Sequence, residues 1–152
     1  MFKQLRTDES GLTLIELTIV IAILGILAAF IAPRVITAID DAKVSKAETE
    51  ISNLRVSLSL FSVHVGRYPS TEEGLDALWR SPSQELTSWR GPYVTDPISL
   101  DPWGNAYVYR YPGTHEGYDY DLMSYGRDGK LGGEDLDTDI TNWVDEQQAS
   151  AR

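Results

Sequence analysis

The chain has 152 residues but contains no cysteine and only two histidines. Without cysteine a disulfide framework is excluded, so stability must come from packing, from a bound metal or from assembly. The histidines, His64 and His115, stand in a predicted helix and a predicted loop, and no serine or cysteine constellation joins them. A glycine-rich phosphate-binding motif is also missing from the sequence. We therefore predict that the chain is not an enzyme and that His64 is a surface residue of its helix.

Basic residues are scarce relative to acidic ones. Lysine and arginine total 13 against 23 aspartate and glutamate residues, which gives a net charge of -10 at pH 7. An acidic surface disfavours nucleic acid and anionic lipid as partners of the globular part. About 35 residues at the N terminus form a short polar segment and the apolar stretch described next, so the remainder predicts one small domain with a single core.

An apolar stretch that begins at Leu12 organises the chain. Glu16 is its only charged residue, and the next seventeen residues carry no charge. Seventeen helical residues span about 25 Å, and the four residues from Leu12 extend this length to the thickness of a bilayer. We therefore predict a membrane-spanning helix over residues 12–35. The globular domain is predicted over residues 36–152 and contains the C-terminal half of the same long helix.

The carboxylate of Glu16 requires a partner, because a charge at the bilayer centre costs roughly 3 kcal/mol and such groups usually persist when they are paired. No basic residue lies within one helical turn of Glu16. A main-chain amine at Leu12 could serve, but it exists only if the chain is cut after Gly11. The alternative is an ordinary signal peptide or signal anchor with Lys3 and Arg6 as its basic head, although the apolar core is longer than the usual length of roughly 7 to 15 residues.

Beyond Pro33 the helical pattern continues as one apolar stripe. The stripe consists of Val44, Ala47, Ile51, Leu54, Leu58, Phe61 and Val65. Alternating spacings of three and four residues are typical of a single buried helix face, and we predict that this face packs on a sheet, with a coiled coil as the alternative. The helix is predicted to end near Gly66. Pro33 removes one backbone hydrogen bond and Gly25 is a second weak point, so we expect a kink or a loosened turn there.

The C-terminal half predicts a short helix and a β-hairpin, which makes the fold class α+β. Helix-start residues near Ser70 predict a helix from about Thr71 to Trp79. The segments Ala106–Tyr111 and Tyr118–Tyr125 predict strands that pair antiparallel, because the six intervening residues are too few for a parallel crossover. In these strands Tyr107, Tyr109 and Tyr111 share one face, whereas Tyr118, Tyr120 and Leu122 share another. A turn is predicted at Asp101–Asn105.

An acidic, glycine-rich loop follows the hairpin, from Asp128 to Asp139. It places five carboxylates and three glycines within twelve residues. Calcium binds six to eight oxygens of carboxylates and carbonyls, so the loop suits calcium, while a solvated loop without metal also fits the charge pattern. An EF-hand is not expected, because Lys130 and Gly132 stand at two of its ligand positions.

Several motifs give the chain a family resemblance. The run Gly11-Leu-Thr-Leu-Ile-Glu16, followed by the apolar stretch, resembles the leader junction of type IV pilins and pseudopilins. The blocks Tyr68–Leu75, Asp101–Asn105, Ser124–Gly129 and Asp139–Trp143 are similar to those of the major pseudopilins of type II secretion systems. The resemblance implies that residues 1–11 are a leader, that a prepilin peptidase cuts after Gly11, and that Leu12 is then N-methylated. It also implies that Glu16 acts in assembly.

The resemblance further implies a calcium site in the acidic loop. The side chains of Asp128 and Asp139 and the carbonyls of Tyr125 and Lys130 are the implied ligands, with Asp137 as an additional one. The expected fold is pilin-like: a long N-terminal helix packed on a small antiparallel sheet, with a C-terminal calcium-binding loop.

The function implied by the resemblance is assembly. The chain would polymerise into a pseudopilus fibre that supports export of folded proteins across the outer membrane. Implied partners are other copies of the chain, minor pseudopilins, an inner-membrane assembly platform and the prepilin peptidase. The implied location is the inner membrane, as a single-pass protein with its globular domain in the periplasm, and Gly25–Pro33 is a candidate for melting on assembly. The alternatives are a major type IV pilus subunit, which the lack of cysteine disfavours, and a membrane-anchored calcium-dependent adhesin or sensor.

Overall fold

The computed structural model describes residues 13–144, apart from the side chains of residues 32–34. The predicted leader, the cleavage position at Gly11 and the methylation position at Leu12 lie outside the described residues.

Helix α1 spans Leu14–Val65 and contributes to two compact units, Met1–Ile39 and Asp40–Arg152. In the described part of the first unit, the large apolar side chains are all exposed. By length and composition this helix is apolar enough to cross a membrane. Helical backbone continues through Gly25 and Pro33, so these two weak points do not interrupt the helix.

In the second unit, helix α1 buries the predicted apolar stripe. Ala47, Ile51, Leu54, Leu58 and Phe61 are each at most 6% exposed. The last four of these pack in one core with Leu75, Leu78, Tyr109, Tyr120 and Leu122. The helix ends at Val65, because Gly66 follows with a φ of 84°, which favours glycine. The predicted stripe, its packing on the sheet and the predicted helix end are confirmed.

The predicted helix from Thr71 to Trp79 is wrong. Ser70 and Glu73 do form a helix-start arrangement: the Ser70 N–H donates to Glu73 Oε2 at 2.7 Å, and the Glu73 N–H donates to Ser70 Oγ at 3.2 Å. Gly74 then adopts φ 60° and ψ -164°, which is not helical. Only a short 3₁₀ helix, Leu75–Leu78, follows.

The sheet has three antiparallel strands in the order β1-β2-β3. The strands are β1 at Val108–Arg110, β2 at Asp121–Ser124 and β3 at Ile140–Thr141, and a second 3₁₀ helix, Asp135–Asp137, precedes β3. The predicted hairpin is confirmed, but both of its strands are shorter than predicted. Strand β3 was not predicted, because two residues are too few to show a period-two alternation.

The two tyrosine-containing strands present their core residues on the same face. Tyr109 stands opposite Leu122 in the register of β1 and β2. Directly opposed residues of an antiparallel pair share a face, and Tyr120 lies on that face two residues before Leu122. All three are buried in the core. The prediction that the two sets of residues occupy different faces is therefore wrong.

Candidate functional site

Glu16 caps the start of helix α1 together with Thr13. Glu16 Oε2 accepts hydrogen bonds from the backbone N–H and the hydroxyl of Thr13, both at 2.8 Å. The Thr13 hydroxyl accepts the N–H of Glu16 at 3.3 Å in return. This reciprocal pattern is a capping box, whose Thr-x-x-Glu signature was readable in the sequence but was missed. Glu16 therefore has a partner, Thr13, within its own chain. Both hydrogen bonds from Thr13 go to Oε2, one of the two carboxylate oxygens of Glu16.

The acidic loop, Asp128–Asp139, is closed at its base by backbone contacts. The Arg127 N–H donates to the carbonyl of Leu136 at 3.1 Å. Gly126 has a φ of 64°, and a Cβ at this position would lie 2.9 Å from the carbonyl oxygen of Thr138. Both the left-handed backbone and the close approach require glycine at position 126.

Two carboxylates predicted as calcium ligands fold the loop backbone. Asp128 Oδ1 accepts the N–H of Lys130 at 3.0 Å, and Asp139 Oδ2 accepts the N–H of Gly132 at 2.9 Å. Over residues 13–144, the structure brings together no group of three or more histidine, cysteine or acidic side chains that could hold a metal. A cation at this loop would therefore depend on backbone carbonyls as well as on side chains.

Asp137 has a different environment, because it pairs with Arg127. The Arg127 Nε and Nη2 groups donate to the two carboxylate oxygens of Asp137 at 2.9 and 3.2 Å. Hydrogen bonding to Asp137 raises the pKa of the Arg127 guanidinium. Arg127 was missed as a functional residue, although it offsets one of the loop carboxylates. Coordination of a metal by Asp137 would require this ion pair to break.

The remaining donors suit calcium in their chemistry. Carboxylate and carbonyl oxygens are the ligands that this hard cation prefers, whereas softer metals prefer nitrogen and sulfur. The Lys130 N–H donates to Asp128, and Tyr125 lines the same cleft as Asp139. The donor atoms of the loop suit calcium in their chemistry, and Asp128 and Asp139 are the side chains that would hold it.

The turn Asp101–Asn105, which precedes the hairpin in the sequence, supports the base of the acidic loop. Asp101, 4% exposed, accepts the N–H groups of Trp103 and Asn105 through Oδ1, at 3.0 and 2.8 Å. Its Oδ2 accepts the hydroxyl of Ser124 at 2.6 Å. The Asn105 Nδ2 group donates to the carbonyl of Gly126 at 2.9 Å. The predicted turn is confirmed, and it connects β2 to the base of the acidic loop.

The C-terminal segment is held on β2 by the side chain of Asn142. Its Oδ1 accepts the N–H of Leu122 at 2.7 Å, and its Nδ2 donates to the carbonyl of Tyr120 at 3.0 Å. The Asn142 N–H also donates to the carbonyl of Leu122 at 2.9 Å. Asn142 is 7% exposed, so these bonds form in the interior. A single amide side chain thus extends the pairing of β2 beyond β3.

His115 links the same segment to the hairpin loop. Its Nδ1 lies 2.9 Å from Asp121 Oδ1, and its ring stacks on Trp143 with centroids 3.7 Å apart. Asp121 is 1% exposed, and its Oδ2 accepts the N–H and hydroxyl of Thr114 at 3.0 and 2.7 Å. A cleft of about 770 Å³ opens beside this group and extends to the acidic loop. The arrangement fixes Trp143 in place.

The Asp121 carboxylate is expected to make stability depend on acid pH. Burial alone would raise the pKa of Asp121, but hydrogen bonds from Thr114 and His115 outweigh it and hold the pKa below its usual range. Because the pKa of Asp121 is lower in the folded chain, its ionised carboxylate stabilises the fold at pH values above the unfolded pKa of about 3.9. This contribution is lost as the pH falls through the folded pKa. We expect Asp121→Asn to lower the free energy of unfolding at pH 7 by about 1 to 3 kcal/mol and to weaken its decrease below pH 4, as measured by urea unfolding. The exposed variant Asp119→Asn is the control, and equal acid sensitivity in both variants would contradict this role.

His64 is only partly exposed on its helix, and it has a partner that the sequence did not indicate. Its Nδ1 shares a hydrogen bond of 3.2 Å with the hydroxyl of Tyr93. Tyr93 in turn packs edge-on against Phe61, with ring centroids 5.6 Å apart. His64 therefore fastens the segment around Tyr93 to helix α1.

Comparisons with known proteins agree with this architecture. Residues 34–143 match the family described as type II secretion system (T2SS), protein G, and residues 6–32 match the prokaryotic N-terminal methylation motif. Type II secretion system core protein G of Pseudomonas aeruginosa is 42% identical over 140 residues, which cover 91% of this chain and 97% of the relative. The protein of the same name from Vibrio cholerae is 38% identical over 143 residues, which cover 93% of this chain and 95% of the relative.

A solved structure supports the same conclusion. The crystal structure of the major pseudopilin from the type 2 secretion system of enterohaemorrhagic Escherichia coli matches with a TM-score of 0.56 and 34% sequence identity. The match covers 68% of this chain and 89% of that chain. The resemblance predicted from sequence is confirmed, and the chain belongs to the type II secretion system protein G family of structural major pseudopilins.

Proposed function

We propose that the chain builds the type II secretion pseudopilus by polymerising through helix α1, and so supports export of folded proteins across the outer membrane. One observation supports this role above all: the large apolar side chains from Leu14 to Ile31 are exposed, and Glu16 is the only charge among them. Such a helix requires lipid or other copies of itself as surroundings. The role is structural and includes no catalytic step. The family match does not favour a type IV pilus subunit or a calcium-dependent adhesin or sensor.

The proposal includes location and partners. The first unit anchors the chain as a single-pass protein in the inner membrane, with the second unit in the periplasm. The partners are further copies, minor pseudopilins, an inner-membrane assembly platform and a prepilin peptidase. The methylation motif over residues 6–32 supports processing, since it contains both Gly11 and Leu12. The segment from Gly25 to Pro33 stays a candidate for loss of helical order on assembly.

Processing tests this proposal directly. The mature chain from native membranes is expected to begin at an N-methylated Leu12, as read by mass spectrometry of the N terminus. Gly11→Val is expected to accumulate as the full-length chain on a gel, because a side chain blocks the close approach of the peptidase to the backbone. Ser10→Ala, a change of one atom in the leader beside the cut, is the matched control and is expected to mature normally. A native chain that still begins at Met1 would show that the helix is an uncleaved anchor.

We also propose that calcium is held by Asp128 and Asp139 with the carbonyls of Tyr125 and Lys130. The oxygen donors and the lack of cysteine support this assignment, because a bound dication can close the C-terminal loop where a disulfide cannot. A ligand that binds only the folded chain stabilises it by about 2.7 kcal/mol at a hundredfold excess over its dissociation constant. The melting temperature is therefore expected to rise with calcium and to fall with chelator.

The calcium test uses the purified full chain in detergent. Asp128→Asn is expected to lose most of the calcium-dependent rise in melting temperature. Glu134→Gln removes another carboxylate of the same loop that is not a proposed ligand, so it is expected to keep the rise. If calcium leaves the melting temperature of the wild-type chain unchanged, the acidic loop is solvated rather than metal-bound.

A further inference from the structure

Arg127 stands at the base of the acidic loop and neutralises one of its five carboxylates. Its Nε and Nη2 groups donate to the two oxygens of Asp137 at 2.9 and 3.2 Å. A guanidinium is planar and stays charged throughout the physiological pH range, and two hydrogen bonds to one carboxylate fix the geometry of the pair. Asp137 is therefore held by a cation that belongs to the chain itself.

The backbone around Asp137 is fixed as well. Asp137 ends the 3₁₀ helix that begins at Asp135, and its N–H donates to the carbonyl of Glu134 at 3.0 Å. Gly133 has a φ of 117°, and a Cβ added at this position would lie 3.0 Å from the Cβ of Asp137. Only glycine combines this backbone conformation with so close an approach. The position of Asp137 is therefore set by the fold of the loop, and its carboxylate is released only when its bonds with Arg127 break.

The charge of Arg127 also acts on a carboxylate that we propose as a calcium ligand. Asp137 raises the pKa of the guanidinium most, and the charges of Asp40 and Asp128 raise it further. Because this attraction is mutual, the positive charge of Arg127 lies close enough to Asp128 to repel a dication bound there. The Arg127 side chain is 53% exposed, so water screens these interactions and their effects are modest.

We propose that Arg127 sets the calcium affinity of the acidic loop, by withholding Asp137 from the metal and by repelling the charge of the metal. The affinity of a calcium site depends on how many charged ligands it has. With Arg127 in place, the side-chain ligands are limited to Asp128 and Asp139, whereas loss of Arg127 frees Asp137 as a third. The same ion pair offsets repulsion between carboxylates when no metal is bound. This inference rests on the proposed function, because it concerns the calcium site that is part of it.

Calorimetric titration of the purified full chain in detergent with calcium chloride tests this role, after divalent metals have been removed with chelator. Arg127→Gln is expected to tighten calcium binding about tenfold. In chelator the same variant is expected to melt about 2 to 4 °C below the wild type, because an exposed ion pair is lost. Arg90→Gln is the matched control and is expected to behave as the wild type in both measurements. Arg90 is exposed and forms no ion pair within the described residues, and its replacement changes the net charge by the same amount.

Asp137→Asn separates the freed carboxylate from the broken ion pair. It is expected to lower the melting temperature in chelator as Arg127→Gln does, but not to tighten calcium binding, because it frees no carboxylate. Equal affinities of Arg127→Gln and the wild type, or equal tightening in Arg90→Gln, would overturn the proposal while the calcium assignment stands. If the wild-type chain binds no calcium but Arg127→Gln does, the calcium assignment fails for the native chain and the role of Arg127 is supported. Absence of binding in both overturns both.

Discussion

Asn142→Ala is expected to lower the free energy of unfolding by about 2 to 5 kcal/mol. The change leaves the N–H of Leu122 and the carbonyl of Tyr120 without the partners that Asn142 supplies at 2.7 and 3.0 Å. Each buried polar group left unsatisfied costs roughly 1 to 3 kcal/mol. The backbone bond from the Asn142 N–H to the carbonyl of Leu122 and the pairing of β2 with β3 remain, so the C-terminal segment is weakened on β2 rather than released.

Urea unfolding of the purified chain measures this effect. Asn53→Ala is the matched control, because Asn53 is an exposed asparagine on helix α1 and alanine is a good helix former. A surface change of this kind is expected to stay within about 0.5 kcal/mol of the wild type. If Asn142→Ala also stays in that range, the side-chain bonds of Asn142 do not stabilise the domain.

Glu16→Gln is expected to abolish fibre assembly while leaving the start of helix α1 intact. Glutamine serves in a capping box as glutamate does, so the hydrogen bonds with Thr13 can be retained. What is lost is the negative charge that we propose pairs with the Leu12 amine of a neighbouring copy. Breaking a buried charge pair costs roughly 3 to 5 kcal/mol, which weakens the subunit contact about a hundredfold or more.

Thr13→Val is the control that separates capping from charge. It removes the hydroxyl of the capping box but keeps the carboxylate, so assembly is expected to continue. Cross-linked multimers in membranes and secreted protein in the culture medium are the two measurements. Normal multimers from Glu16→Gln would show that the charge is not needed, and equal failure of both variants would show that the cap is the important element.

The parts of the fold that could be predicted have a local signature. The spacing of the buried residues from Ala47 to Phe61 follows from the helical repeat alone, and Gly66 marks the helix end through its backbone conformation. The hairpin follows from two alternating segments and a connection too short for a crossover. The helix predicted near Thr71 is wrong because Gly74, whose backbone is not helical, stops it within one turn of the start signal.

The contacts that close the domain could not be predicted in the same way. Asn142 and Leu122 are 20 residues apart, and no periodic pattern connects an amide side chain to a distant strand. The same holds for the ion pair of Arg127 and Asp137, which are 10 residues apart. In the candidate site, the acidic loop and Glu16 could be predicted from the sequence, because each has charge where it is unusual. The loop has five carboxylates within twelve residues, and Glu16 is a carboxylate in an apolar stretch. Their partners depend on how the chain folds back.

Side chains also form hydrogen bonds with backbone N–H and carbonyl groups at positions where this small sheet would otherwise accept another strand. Just beyond β1, the Thr71 hydroxyl donates to the carbonyl of Tyr111 and accepts its N–H, both at 2.9 Å. On β2 the amide of Asn142 has the equivalent role. Exposed strand edges are templates for aggregation between identical chains. These side chains therefore disfavour edge-to-edge pairing between separate chains at both positions.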